Sequence, residues 1–168
     1  VIGMLIRNAS LADLPRIVEI YNQAIPSHRS TADISPVRIE DRQQWFAQHT
    51  PEKYPIFVAE VDRAIAGWCS LSAYRPGRMA LRFTAELSCF VDHAFQRQGL
   101  GSAMVAHVLA ACPKLQIKNV FAILLDRNAA SIGMLEKLGF ERWGALPRVA
   151  DFDGNECGQL YFGKRVWD

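Results

Sequence analysis

Two glycines one residue apart, Gly99 and Gly101, stand where an apolar stretch ending Phe90-Val91 gives way to a helix-periodic one. The intervening segment reads Asp92-His93-Ala94-Phe95-Gln96-Arg97-Gln98-Gly99-Leu100-Gly101-Ser102. Such a junction aims several backbone N–H groups at one point. Glycine removes the Cβ that would hold an anion off the backbone, and the helix N-terminus adds the positive end of its dipole. The chemistry implied is a pyrophosphate cradle, although a G-x-G pair alone also suits a plain flexible helix start. A Walker A loop is excluded, since no Gly-Lys-Ser/Thr follows. The dinucleotide fingerprint fits poorly, because the third glycine is missing and Asp126 lies too far along the chain.

Glu86, on the stretch that runs into this loop, is the second centre of chemistry. A carboxylate there suits a general base, a role worth about 10²–10⁴ in rate. By itself it better suits a solvated strand-face carboxylate or an ion-pair partner of Arg82. Arg75, Arg78 and Arg82 are guanidinium groups of the kind that hold a carboxylate through two parallel hydrogen bonds. Arg82 stands four residues before Glu86, on the same face of an expected strand. Asn128 is placed to cap a helix. Cys89 has no neighbour that would make it a thiolate, so an acyl-cysteine route is not expected.

Other chemistries are excluded by what the chain lacks. His28, His49, His93 and His107 show no metal-binding spacing. Cys69, Cys89, Cys112 and Cys157 form no C-x-x-C pair, so neither zinc nor a disulfide framework is expected, and a reducing, cytoplasmic setting fits. The 168 residues are 50% hydrophobic and 21% charged, the composition of one globular domain spanning 1–168. Lys and Arg number 19 against 17 Asp and Glu, and a net charge of +2 is too weak a field to argue for nucleic acid or an anionic membrane. No apolar run approaches the roughly 18 residues of a membrane span, and no signal-peptide pattern opens the chain. Trp45, Trp68, Trp143 and Trp167 read as core or interface aromatics, not as a stacking platform for bases.

The elements that must position these groups follow from periodicity. Met4 to Arg7 reads as a strand. Ser10 with Asp13 three residues on caps a helix carrying Leu14, Ile17, Val18 and Tyr21. Ser35-Pro36 opens a second helix that buries Ile39, Trp45 and Phe46. Ile56–Val61 and Ala64–Ser72 form a hairpin about Asp62-Arg63, and a basic loop, 74–78, leads to a long strand from Leu81 to Val91. Gly99 to Cys112 is helical. Lys118 to Leu125 reads as a strand buried on both faces, and Asn128 to Leu138 as a helix closed by Gly139. Phe140–Arg148 and Gln159–Val166 are the last strands, joined through a turn at Asp153-Gly154-Asn155. The order β-α-α-β-β-β-α-β-α-β-β is that of a mixed α/β domain.

Gln96-x-x-Gly99-x-Gly101 after Phe90-Val91 resembles the acetyl-CoA signature of the GNAT superfamily of N-acetyltransferases. Asn128-Ala129-Ala130-Ser131 followed by Glu136-Lys137-Leu138-Gly139-Phe140 resembles its second landmark. Segments 20–25, 31–32, 36–46, 54–55, 70–72 and 83–88 are similar to the phosphinothricin acetyltransferase-like branch. The likeness runs from about Ile6 to about Asn155.

This resemblance implies a single-domain α/β fold: a mixed, mostly antiparallel sheet flanked by helices, with a splayed strand pair, bulged at its edge, at the cofactor site. Acetyl-CoA would be the co-substrate, its pantetheine arm along Cys89, Phe90 and Val91. Its pyrophosphate would lie on Arg97, Gly99, Leu100, Gly101 and Ser102, with Asn128 at the pantetheine or thiol region and Gln96, Gln98 and Ser131 completing the cofactor site. Glu86 would be the base, and Arg75, Arg82 and Phe83 would meet the acceptor, a small-molecule amine of amino-acid type. A homodimer is implied, with no nucleic-acid or membrane partner. A peptide acetyltransferase and a non-catalytic acyl-CoA sensor are the alternatives. The chain departs from the branch at Leu135, where others carry a Tyr or His acid, at Phe83 in place of His, and at Glu156-Cys157-Gly158 in place of Trp-x-Asp. No side-chain acid is therefore expected for the leaving thiolate.

Overall fold

In the computed structural model, residues 3–168 are described, so the first two positions of the expected domain lie outside it. The chain runs β1 (Met4–Asn8), α1 (Leu14–Gln23), α2 (Ile39–Ala47), β2 (Ile56–Val61), β3 (Ala64–Ala73), β4 (Thr84–Val91), α3 (Leu100–Leu115), β5 (Asn119–Leu125), α4 (Ala129–Lys137), β6 (Glu141–Phe152) and β7 (Asn155–Arg165). The strands lie in the order β1-β2-β3-β4-β5-β7-β6, antiparallel throughout except for β4 and β5.

Alternation along the strands divides the interior in two. Phe57, Ala59, Cys69, Leu71, Ala85, Leu87, Val120 and Ala122 turn to one face, where α3 supplies Leu100, Met104, Val105 and Val108 and α4 supplies Leu135. On the other face, Ile56, Val58 and Trp68 pack on Ile17 and Ile20 of α1, with Trp45 and Phe46 of α2 alongside.

Several boundaries differ from those expected. Ser10 and Asp13 do cap, the carboxylate accepting the Ser10 N–H at 2.7 Å, but they open a 3-10 turn over Leu11–Asp13 ahead of α1. Ser35-Pro36 does not begin α2. The Asn22 side chain accepts the Val37 N–H (2.9 Å) and donates to the Val37 carbonyl (3.0 Å), which holds that backbone outside a helix. Arg38 then caps the helix with Asp41, and Ile39 lies 37% exposed.

The strand expected from Leu81 starts only at Thr84, because the chain curls into a 3-10 turn at Met79–Leu81 whose carbonyl at Met79 accepts from both the backbone and the guanidinium of Arg82. Helix α3 runs on to Leu115 through Pro113. The last hairpin is longer than expected, with Asp153 and Gly154 at φ +53° and +87° forming its tight turn.

Strands β4 and β5 pair only from Thr84↔Asn119 to Glu86↔Phe121. Beyond that point β4 stays on β3 as far as Val91, and β5 stays on β7 as far as Leu125. A wedge therefore opens in the middle of the sheet. The β3–β4 ladder runs from Gly67↔Val91 to Ala73↔Ala85 without a register shift, so the expected bulge in β4 is absent and the wedge comes from divergence alone.

Candidate active site

Glu86 sits at the apex of the wedge, on the face that carries α1 and α2. With Ser88 and Phe90 it lines a hollow of about 270 Å³ walled by Ile17 and Tyr21, by Arg42 and Trp45, and by Trp68. Burial pushes its carboxyl above the ordinary range. The wall is aromatic: Trp68 stacks on Phe90 (5.1 Å between centroids), Tyr21 meets Phe90 edge-on (5.0 Å), and Trp45 meets Trp68 edge-on (5.5 Å). Arg42 lies 4.9 Å from the Tyr21 ring centroid and pairs with Asp33 at 3.3 Å. The Tyr21 hydroxyl donates to that same carboxylate and shares a hydrogen bond with Thr31. Sequence reasoning passed over Arg42, and only the fold brings it into the hollow that Glu86 lines.

At the other end of β4, the loop is anchored by buried Asp92. Its carboxylate accepts from Arg16 (2.7 Å), Gln23 (2.8 Å) and the Ala94 N–H (2.8 Å), while the Gln23 side-chain Oε1 accepts the His93 N–H (3.0 Å). Burial alone would raise the Asp92 carboxyl, but the bonds from Gln23, Ala94 and Arg16 together hold it below its usual range. This network was not legible in the sequence, since its members lie far apart along the chain. Arg97 and Gly99 adopt left-handed backbone, φ +61° and +79°, the kind of turn that points neighbouring N–H groups one way. Gln96 donates to the Val91 carbonyl (3.3 Å) and Gln98 to that of Ala94 (3.4 Å), tightening the loop.

Leu100 is buried where α3 begins, with Gly101 and Ser102 in its first turn. A Cβ on Gly101 would stand 3.1 Å from Met134 Sδ and 3.7 Å from Val91 Cγ2, so this glycine serves close helix packing as well as backbone access. Asn128 caps α4 by accepting the Ser131 N–H at 3.2 Å. Cys89 and Val91 turn to the α3 side, and burial pushes the Cys89 thiol up to about 12.

Arg75, Arg82 and Phe83 are not brought to Glu86. They line a second hollow of about 480 Å³ with Lys53, Tyr74 and Arg78, and its lining shares no residue with the first. The Arg82 guanidinium stacks 4.1 Å over the Phe83 ring, off the strand face it was expected to share with Glu86.

A sheet parted between a parallel strand pair, a glycine loop opening a helix behind it and a carboxylate at the apex define an acyl-CoA-using transferase site. The loop meets the test of fit for a pyrophosphate: its left-handed turns are in place, no acidic residue occurs from His93 to Ser102, and Asp92 is turned inward to Arg16. Residues 15–140 match the Acetyltransferase (GNAT) family, and the chain belongs to that family. It is 37% identical to YwnH of Bacillus subtilis (strain 168), named as a candidate phosphinothricin acetyltransferase, over 97% of this chain and 99% of that one. It is 34% identical to the L-methionine sulfoximine/L-methionine sulfone acetyltransferase of Pseudomonas aeruginosa, over 86% and 84% of the two chains. The crystal structure of a GNAT phosphinothricin acetyltransferase from Sinorhizobium meliloti in complex with acetyl-CoA superposes with a TM-score of 0.90 at 26% identity, covering 98% of this chain and 89% of that one. The protein is an acetyl-CoA-dependent N-acetyltransferase.

Proposed function

We propose that the protein moves the acetyl group of acetyl-CoA directly to the amine of a small, amino-acid-like acceptor, with Glu86 as the general base. The observation that carries this reading is an isolated carboxylate, raised by burial, at the point where β4 and β5 part. A base of that kind is matched to taking a proton near neutral pH. The relatives named for methionine sulfoximine and phosphinothricin support an acceptor of this class.

In this reading the open edge of β4 at Cys89, Phe90 and Val91 receives the pantetheine arm. Its backbone N–H groups polarise the thioester oxygen, and Gln96 to Ser102 take the pyrophosphate, with Asn128 and Ser131 beside the arm. Acetyl-CoA supplies an activated acyl group and a good leaving thiolate, which takes its proton from water. Leu135 packs into the main core and offers no acid. The acceptor occupies the aromatic hollow, its amine toward Glu86 and its carboxylate toward Arg42, the guanidinium that lines the same space. Arg75, Arg82 and Phe83 form a separate basic rim, away from the reacting amine.

The reading extends to a single domain over 1–168 that works in the cytoplasm as a homodimer, on small molecules and apart from nucleic acid and membranes. Four free thiols suit a reducing compartment. The exposed Trp143, Leu146 and Val149 of edge strand β6 suit a contact between two copies. A thiol-release assay with acetyl-CoA across amino acids and peptides tests the proposal. Turnover with free amino acids, lost in Glu86→Gln, is expected. Turnover confined to peptides would shift the acceptor class, and tight acetyl-CoA binding without turnover on any amine would leave a sensor.

A further inference from the structure

With Glu86 as the base, each turnover loads one proton onto it, and an acceptor seated in the hollow it lines would cover that carboxyl. A second way out runs along the sheet. The β3–β4 register puts Ser72 directly opposite Glu86, and directly opposed residues share a face with Cβ atoms about 4.5–5.5 Å apart. Farther along the same ladder, Trp68 lies opposite Phe90 and their rings stack, which confirms that this row faces α1 and α2.

Ser72 Oγ is 3.0 Å from Nε2 of His49, two residues beyond the end of α2, and Nδ1 of His49 is 2.7 Å from the Trp45 carbonyl. The hydrogens follow by elimination. A carbonyl only accepts, so Nδ1 carries the proton. Neutral imidazole has one N–H, so Nε2 is bare and the Ser72 hydroxyl donates to it. The Ser72 oxygen keeps lone pairs free to accept from the Glu86 side, across the ladder or through one water, since the two side chains share a register position but no direct hydrogen bond.

From this polarity we propose that Ser72 and His49 carry the amine proton from Glu86 to solvent. The inference rests on Glu86 being the base, and both residues act through it as positioning residues. As the amine attacks, the C–N bond forms and the C–S bond breaks, its electron pair leaving on sulfur, and the surplus amine proton passes to Glu86. Glu86 then gives a proton to Ser72 Oγ as the Ser72 hydroxyl gives its own to His49 Nε2. The imidazolium releases one proton to bulk water, and the hydroxyl turns back to face Nε2. One proton leaves the carboxyl and one arrives in water.

The shifts at the two ends favour such transfer. Burial raises the Glu86 carboxyl, whereas it lowers the His49 imidazole against the opposing pull of the Trp45 carbonyl, so the two affinities approach each other. Besides Glu86, across Ser72, the charged groups of α2 and its cap are Glu40, Asp41, which Arg38 engages, and Arg42, which Asp33 engages.

The test is steady-state kinetics of the full chain over pH for the wild type, Ser72→Ala, Ser72→Thr, His49→Gln and His49→Ala, each also in a Glu86→Gln background. A fall in kcat of about tenfold or more is expected for Ser72→Ala and His49→Gln, a fraction of what a general base supplies, with KM for both substrates unchanged. Ser72→Thr should restore the rate, and added imidazole should raise it in His49→Ala. In the Glu86→Gln background the same changes should have no further effect, because nothing remains to relay. Unchanged kcat in Ser72→Ala, or an equal fall with and without Glu86, overturns the relay. A wild type that turns over no amine overturns the reading of Glu86 itself.

Discussion

Glu86 and Phe121 are the last residues of β4 and β5 to remain in register before the two strands part. The proposed base thus sits where an unpaired strand edge begins on one side and an aromatic hollow lies on the other. Continued pairing past Glu86 would close the wedge. A carboxylate two residues further on, at Ser88, would lie beside the open wedge and not at its apex.

Replacing Glu86 with Gln should leave acetyl-CoA affinity nearly unchanged, lower kcat by about 10²–10⁴ at pH 7, and lose part of that deficit at high pH, where more of the amine is already neutral. Folding raises the Glu86 carboxyl, so holding it ionised costs stability at any pH above its folded value, and this cost vanishes below the ordinary carboxylate range. The variant should therefore melt higher than the wild type at pH 7 and equally at low pH, as read by thermal unfolding across pH.

Asp92 carries the opposite sign. Its folded carboxyl lies below the unfolded value, so its contribution is fully present above the ordinary carboxylate range and is lost as pH falls through the folded value. Asp92→Asn should cost about 1.5–3 kcal/mol at pH 7, the range for hydrogen bonds that involve charged groups, and should weaken acetyl-CoA binding by loosening the loop. Denaturant titration and calorimetry measure the two effects.

The two loop glycines should fail differently. Gly99 has open space around its Cβ position but φ +79°, so Gly99→Ala strains the backbone by about 1–2 kcal/mol without a clash. Gly101→Val crowds Met134 and should lower both acetyl-CoA affinity and melting temperature. Adding Met134→Ala should recover melting temperature but not affinity, as melting and calorimetry on the double variant would show.

Arg42→Ala should raise KM for carboxylate-bearing acceptors by tenfold or more, the cost of a lost charge-assisted pair at about 1.5–3 kcal/mol. It should leave KM for the corresponding amides nearly unchanged. Arg75→Ala should change neither, since its hollow is separate.

The glycine loop, the Asn128 cap and the helix stop at Gly139 were legible in the chain because each is local chemistry: a φ that few residues adopt, or a side chain bonding its own backbone. The glutamate at the apex was legible through the resemblance. What escaped was set by contacts distant in sequence. Nothing near Pro36 announces that Asn22 will hold Val37 out of a helix, and nothing near Arg82 announces that its guanidinium will turn back to the Met79 carbonyl. Arg42 reads as one charge on a polar helix until α2 is laid over the sheet. The pairing of Ser72 with Glu86 depends on strand register, which is fixed by the whole ladder.

Tyr21 and Gln23 lie two residues apart on α1. The first borders the acceptor hollow, and the second holds the start of the glycine loop through Asp92 and His93. A single turn of helix therefore joins the wall of the hollow to the anchor of the glycine loop. If the acceptor and acetyl-CoA bind as proposed, this turn spaces them as a gauge block spaces the jaws of an instrument, and the gap between nucleophile and electrophile is set before either molecule arrives.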